Sequence, residues 1–206
     1  MITNTDLGIA VTTGYGKLVL KTAPTVTPVS VAEAKTHLRI DSTFTADDTY
    51  IETLISVATS AAENYTNLAI MSQTWLLHID AFPDYFNLLK GTLKSLSINS
   101  IKYSDENNAT QTLAAANYFA DGSIKPARIY FAPDATIPST FDKPNAVIVD
   151  FTLGFSSASN VPAPIKQAIL LMVGTYYETR QTVSDRTYKE IPQSAEYLLM
   201  PYRVQG

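Results

Sequence analysis

The sequence contains no cysteine, which excludes disulfide bonds, thiolate metal sites and cysteine nucleophiles. It has only two histidines, and charged residues make up 17% of its 206 residues. No apolar run approaches the length of a membrane span, and the first residues lack the basic start and apolar run of a signal peptide. We therefore expect no membrane association.

The charge is weakly acidic, with a formal net charge of −4 and a pI near 5.1. Lys and Arg are scattered rather than clustered, whereas a protein that reads DNA sequence usually presents a basic face. The hydrophobic content of 46% is enough for a sizeable core. These features indicate one globular domain without tight DNA binding.

A short helix is predicted just after Pro28 in the stretch PVSVAEAKTHLRID, residues 28–41. Ser30 and Glu33 have the spacing of a capping box, in which each side chain caps the backbone at the other residue. A helix of about ten residues is marginal alone in water, so it must be stabilised by packing.

Two longer helices are predicted from apolar residues that recur at helical spacing. One starts near Ala46, where Thr45 and Asp48 suggest a second capping box, and continues to residue 65. The other covers residues 163–182 and has prolines at its start, where proline is tolerated. Because neither apolar stripe is buried alone, we expect these helices to pack together.

Between the helices lie short β-prone runs separated by turn signals. They occupy residues 73–80, 86–89, 95–103, 111–113, 127–131 and 145–155. The predicted fold class is therefore α+β, with a small helical bundle of two N-terminal helices and one long C-terminal helix interrupted by an antiparallel β insertion.

The chain divides into five predicted segments within one globular domain. An extended N-terminal arm, in which residues 17–28 suit an edge strand, precedes the first helical part, and a C-terminal tail follows the second. The boundaries are 1–29 for the arm, 30–69 and 161–185 for the helical core, 70–160 for the β insertion and 186–206 for the tail.

Catalytic and metal-binding motifs are weak. His78 and Asp80 are two residues apart on a predicted strand and would share a face, but no nucleophile motif accompanies them. Asp41 and Glu52 occupy the first and last positions of an EF-hand spacing, yet Ala46 stands where that loop needs glycine. We therefore expect no cofactor, no metal and no enzymatic activity. The interpretation that remains is a protein that acts by binding other molecules.

Four segments occur in order along the chain: PVSVAEAKTHLRID, DDTYIETLISVATSAAENYTNLAIMSQTW, VPAPIKQAILLMVGTYYETRQ and AEYLLMPYRV. In this order and at this spacing they resemble the head–tail connector family of tailed phages, prophages and gene transfer agents, also called neck adaptor or head-completion proteins. The resemblance runs from about Pro28 to Val204.

The resemblance implies a structural protein of the virion neck. Such a protein forms a ring, usually a dodecamer, below the portal protein, extends the DNA channel and docks a stopper or tail protein. DNA would pass through the channel without specific binding, which suits an acidic chain. Two alternatives stay open, namely another neck protein such as a stopper or tail terminator, and an enzyme with an unrecognised His78 or carboxylate site.

The ring role suggests candidate interface residues. A cyclic contact joins two different faces of the subunit, so we expect the outer helix faces, including Lys35, Arg39 and Glu52, to meet the neighbouring copy. The tail has aromatic, aliphatic and arginine anchors of the kind enriched at interfaces, and we expect it to dock on the portal. Those anchors are Arg186, Tyr188, Tyr197, Leu198, Leu199, Tyr202 and Arg203. Removing the tail from residue 186 would then leave a folded protein.

Overall fold

The computed structural model of the protein describes residues 16–88, 90–91, 96–123, 126–179 and 191–204. Four helices and eight strands occur in these ranges, and they confirm the predicted α+β class with a β insertion. The helices are α1 (Val31–Leu38), α2 (Asp48–Thr66), α3 (Ala163–Glu178) and α4 (Gln193–Leu199). The strands are β1 (Lys17–Thr22), β2 (Gln73–Ile79), β3 (Tyr85–Asn87), β4 (Leu96–Ser104), β5 (Thr110–Thr112), β6 (Tyr118–Asp121), β7 (Arg128–Phe131) and β8 (Val147–Leu153).

The helical core forms as the apolar stripes predict. One face of α2 and one face of α3 are buried against each other, and α1 packs on both. The buried stripe of α2 is Ile51, Leu54, Ile55, Ala58 and Ala62, and that of α3 is Ile165, Ala168, Ile169, Met172 and Val173.

The fourth helix differs from the predicted tail. Ala195 and Leu199 on α4 are fully buried in the helical core, where α4 packs mainly on α3. Val204 is also buried, and its N–H donates to the carbonyl of Thr66 at 2.8 Å. The last described segment is therefore part of the fold, and a truncation at residue 186 would open the core.

Replacing Leu199 with alanine is expected to destabilise the protein by about 2–5 kcal/mol, because the lost side chain leaves a cavity under α3. The free energy of unfolding, measured by urea titration, checks this. Tyr197→Ala is the matched control on the same helix, since the Tyr197 side chain is exposed. Equal stability of the Leu199→Ala variant and the wild type would show that α4 is not part of the core.

The β unit is a sandwich of two antiparallel sheets. A five-stranded sheet has the order β1-β2-β8-β4-β5 and a three-stranded sheet has the order β3-β7-β6. Side chains from both inner faces, such as Leu77, Val149, Phe151, Phe86 and Ile129, form a second hydrophobic core. The edge-strand prediction for residues 17–28 is met over Lys17–Thr22, which form β1 at the edge of the five-stranded sheet, whereas residues 23–28 form no strand.

Candidate functional site: the surfaces of the helical core and the β sandwich

The predicted capping box of α1 forms. Ser30 N–H donates to Glu33 Oε2 at 2.7 Å, and Glu33 N–H donates to Ser30 Oγ at 3.2 Å. The other Glu33 oxygen accepts from Lys166 Nζ on α3 at 3.1 Å. The Ser30 backbone bond is the largest cause that holds the pKa of Glu33 below its ordinary value. The cap thus also links α1 to α3.

The structure places Lys35 inside the subunit, although we expected it on the outer face. Its side chain is only 6% exposed, and its ammonium donates to Asp48 Oδ1 at 2.9 Å and to the Ser42 carbonyl at 3.1 Å. This pairing also explains why the predicted Thr45–Asp48 capping box is wrong: α2 begins after Asp47, without a side-chain cap, and the Asp48 carboxylate binds Lys35 instead. Lys35 therefore fixes the turn between α1 and α2.

Two of the three predicted neighbour contacts remain on the surface. Arg39 ends α1 in the left-handed conformation and is exposed, and Glu52 is exposed on the first turns of α2. Beyond Glu52, the outer face of α2 is neutral and carries small residues such as Ser56, Val57 and Ser60. The structure thus leaves Arg39 and Glu52 accessible to a partner.

The predicted portal anchors divide into four groups. Tyr197 and Arg203 are exposed, and the Arg203 guanidinium lies 5.4 Å from the centroid of the Tyr65 ring. Leu198 and Tyr202 are half-buried against the helical core, whereas Leu199 is buried within it and cannot contact a partner. Arg186 and Tyr188 lie outside the described residues. Met200, which the sequence reading missed, is exposed beside Tyr197.

The outer side of the three-stranded sheet bears exposed aromatic rings, which we call the aromatic face: Tyr85, Phe119 and Tyr130, with Arg128. Tyr130 on the central strand is aligned with Tyr85 on one side and Phe119 on the other. The rings of Tyr85 and Tyr130 stack with centroids 5.9 Å apart, and the Arg128 guanidinium lies 5.0 Å from the Tyr85 centroid.

The sequence reading missed this surface, although a signal exists. The dipeptide Tyr-Phe occurs three times in the chain, and each copy lies on a different strand of the three-stranded sheet. In β3 and β7 the tyrosine points outward, whereas in β6 the phenylalanine does. The strand β6 is not among the predicted β-prone runs.

The outer side of the five-stranded sheet is different in chemistry, and we call it the lysine face. Its first row across the strands is Lys17, His78, Ile148 and Lys102, and its second row includes Val19, Leu76 and Asp150. Asp150 is paired with Lys21 and also accepts from Asn99 Nδ2 at 2.8 Å. Lys17 and Lys102 are exposed, while the aliphatic side chains of this face, Val19, Leu76 and Ile148, are half-buried.

The His78–Asp80 hypothesis gains no support from the geometry. His78 is in the lysine face between Lys17 and Ile148, while Asp80 lies past the end of β2 and accepts a hydrogen bond from Asn145 N–H at 2.7 Å. Among the described residues, no group of three or more acidic or histidine side chains could hold a metal ion. In the same residues, no helix has both the length and the apolarity that crossing a bilayer requires.

A buried polar cluster connects the helical core to the sandwich. Glu63 of α2 accepts from Ile70 N–H and from Gln73 Nε2, each at 2.7 Å, and Gln73 Oε1 accepts from Trp75 Nε1 at 3.2 Å. The ammonium of Lys90 lies 5.1 Å from the Trp75 ring centroid. Burial raises the pKa of Glu63 and lowers the pKa of Lys90, and attraction between the two partly offsets both shifts.

Residues 28–123 match the sequence model of the phage gp6-like head-tail connector protein family. Over these residues the chain is similar to the head–tail connector family. The predicted resemblance is thus confirmed, and its capped helix α1 lies at the start of the matched region. A search of curated proteins finds no match.

Solved structures extend the likeness beyond the residues of the family match. A chain described as "Neck of empty GTA particle computed with C6 symmetry" has a TM-score of 0.75 and 26% identity, over 92% of this chain and 96% of that chain. A chain of the "Virion of native gene transfer agent (GTA) particle" gives a TM-score of 0.74, with the same identity and coverage. A third, from the "Neck of native GTA particle computed with C12 symmetry", shares the fold with a TM-score of 0.69 at 24% identity.

Proposed function

We propose that this protein is a head–tail connector, a ring-forming structural subunit of the virion neck between head and tail. It would extend the DNA channel below the portal protein and dock the next neck or tail protein. The observation that carries this proposal is the shared fold with a gene transfer agent neck protein over 92% of the chain. A structural role without turnover also agrees with the isolated positions of His78 and Asp80.

Portal docking is proposed for the exposed part of the C-terminal segment. Tyr197 and Met200 are the two most exposed of the large apolar side chains in the described residues, at 66% and 63%. They are three residues apart, which is about one helical turn, at the end of α4, and Arg203 follows three residues after Met200. Aromatic, methionine and arginine side chains are the types that interfaces favour. Because α4 is anchored by Ala195 and Leu199, these side chains are held in place before binding.

The mass of the purified protein, measured by light scattering with and without a portal ring from the same genome, tests the proposal. We expect a ring of subunits, either alone or on the portal. Tyr197→Ala should weaken portal binding at least tenfold, which is the size of effect expected when an interface anchor is removed. It should leave the free energy of unfolding unchanged. Phe141→Ala, another exposed aromatic substitution, is the matched control.

Two results would count against the proposal. A wild-type chain that stays monomeric and does not bind the portal ring would refute the ring role. If the wild type binds and Tyr197→Ala binds equally well, only the assignment of the portal surface is wrong.

A further inference from the structure

Arg128 has unused hydrogen-bonding capacity at the centre of the aromatic face. Its Nε is buried and has no hydrogen-bond partner, and no ion pair between described residues involves its guanidinium. The nearest acid along the sheet, Asp121, accepts instead from the N–H and hydroxyl of Ser123. Among the described residues its one hydrogen bond, from Nη1 to the Tyr130 hydroxyl, is long at 3.5 Å. Because a guanidinium has five N–H donors, the Nη groups retain donors for an acceptor on another molecule.

The aromatic face is also unusually apolar for a solvated surface. Phe119 is 61% exposed, and Tyr85 and Tyr130 are each 37% exposed, in one continuous row across three strands. Contiguous exposed aromatics of this kind mark an interaction surface. The edge strand β6, which carries Phe119, pairs only with β7 among the described residues.

The position of the lysine face identifies the partner. The two faces are the outer sides of one sandwich, so they point in opposite directions from the second hydrophobic core. A ring is built when one face of each copy binds a different face of the next copy. Two opposite, chemically different faces are the arrangement that such a contact needs.

The chemistry of the two faces is complementary. Lys17 and Lys102 offer ammonium groups to the exposed aromatic rings, and cations are attracted to ring faces. Val19, Leu76 and Ile148 offer half-exposed aliphatic surface to the same rings. The Asp150 side chain is 14% exposed and already binds Lys21 and Asn99, and its carboxylate oxygens retain lone pairs for the Arg128 guanidinium.

We propose that the aromatic face of one copy packs against the lysine face of the next copy around the ring. This contact deepens the proposed function and depends on it. It assigns subunit contacts to the β sandwich in addition to the helical residues Arg39 and Glu52.

Paired cysteines test this contact cleanly because the chain has no cysteine of its own. Phe119→Cys is combined in turn with Lys17→Cys, His78→Cys and Lys102→Cys, and each full-length double variant is treated with a short bis-maleimide in the portal-bound state. We expect at least one pair to give a covalent ladder of dimers, trimers and larger species on a denaturing gel. Each single variant should remain monomeric on the gel, since the two faces of the contact are different.

The controls separate this contact from the ring itself. Phe119→Cys with Tyr197→Cys should give no ladder, because Tyr197 faces the portal in our proposal. Rings without any ladder from the three test pairs would overturn the contact alone, and dimers from Phe119→Cys by itself would show that two aromatic faces meet. A wild-type chain that forms no ring would overturn the proposed function together with the contact.

A substitution without cross-linking gives an independent readout. Phe119→Ser should raise the protein concentration needed for half-maximal ring formation at least tenfold. Its thermal midpoint should match that of the wild type, because the side chain is mostly exposed. Unchanged ring formation by Phe119→Ser would contradict the proposal.

Discussion

Gly154→Ala is expected to destabilise the protein by at least about 3 kcal/mol, or to prevent folding, because no side chain fits this position. Gly154 has a φ of +108°, a conformation that residues with a Cβ rarely adopt. A Cβ built there would also lie 2.3 Å from the carbonyl oxygen of Met71. The obstacle is backbone rather than a flexible side chain, so it cannot move away without breaking the bonds that join residues 70–72 to Phe155.

Gly174→Ala is the matched control for this prediction. Gly174 is inside α3, and a Cβ there would be 3.5 Å from the nearest atom, His37 Nε2, which is an ordinary contact. We expect a gain of about 0.5–1 kcal/mol, since alanine is the better helix former. Urea unfolding of both variants at one pH measures the two changes in the free energy of unfolding. A Gly154→Ala variant as stable as the wild type would show that the backbone at residue 154 does not have this conformation.

Glu63→Ala is expected to cost about 2–4 kcal/mol, because it removes the acceptor of two hydrogen bonds from a buried polar cluster. The N–H of Ile70 would lose its acceptor, and the amide of Gln73 would keep only the Met71 carbonyl at 3.3 Å. Glu63→Gln retains an acceptor oxygen of the same shape, so its cost should be less than half of that for alanine. Equal costs for alanine and glutamine would mean that the hydrogen bonds of Glu63 contribute little.

The pH dependence of stability provides a second test of Glu63. Burial raises its pKa in the folded state above its ordinary value of 4.5, so the folded protein holds this proton more tightly than the unfolded chain. The stabilisation from this group is fully present below 4.5 and is lost as the pH rises through the folded-state pKa. Relative to Glu63→Gln, the wild type should therefore be more stable at low pH than at neutral pH. The opposite trend would show that the charged form is favoured by folding.

Elements whose signals are local could be predicted from the sequence. The capping box at Ser30 and Glu33 needs only residues within one helical turn, and it forms as predicted. The stripes of α2 and α3 depend only on helical spacing, and both are buried as expected. Strands bounded by clear turn signals, such as β2 and β8, could also be predicted because their β-branched and aromatic runs are long.

Features that depend on residues distant in the chain could not be predicted in this way. Lys35 has the sequence environment of a surface lysine, and it is buried because the α1–α2 turn brings Asp48 to it. The predicted tail joins the core because α3 leaves apolar surface that α4 covers. The aromatic face forms only because β3, β6 and β7 pair in one sheet. In a strand as short as β6, the alternation of apolar and polar residues is too brief to predict a strand.

The packing of α4 and Val204 into the core has a consequence for the timing of assembly. Residues 193–204 follow every other described element along the chain, yet they cover surfaces of α3 and of residue 66 that are synthesised earlier. A nascent chain therefore cannot close its helical core until this segment has left the ribosome. Because α4 also carries Tyr197 and Met200, a subunit acquires its proposed portal-docking surface in the same step that completes its core. We therefore expect a chain that ends before this segment to be unable to dock on the portal.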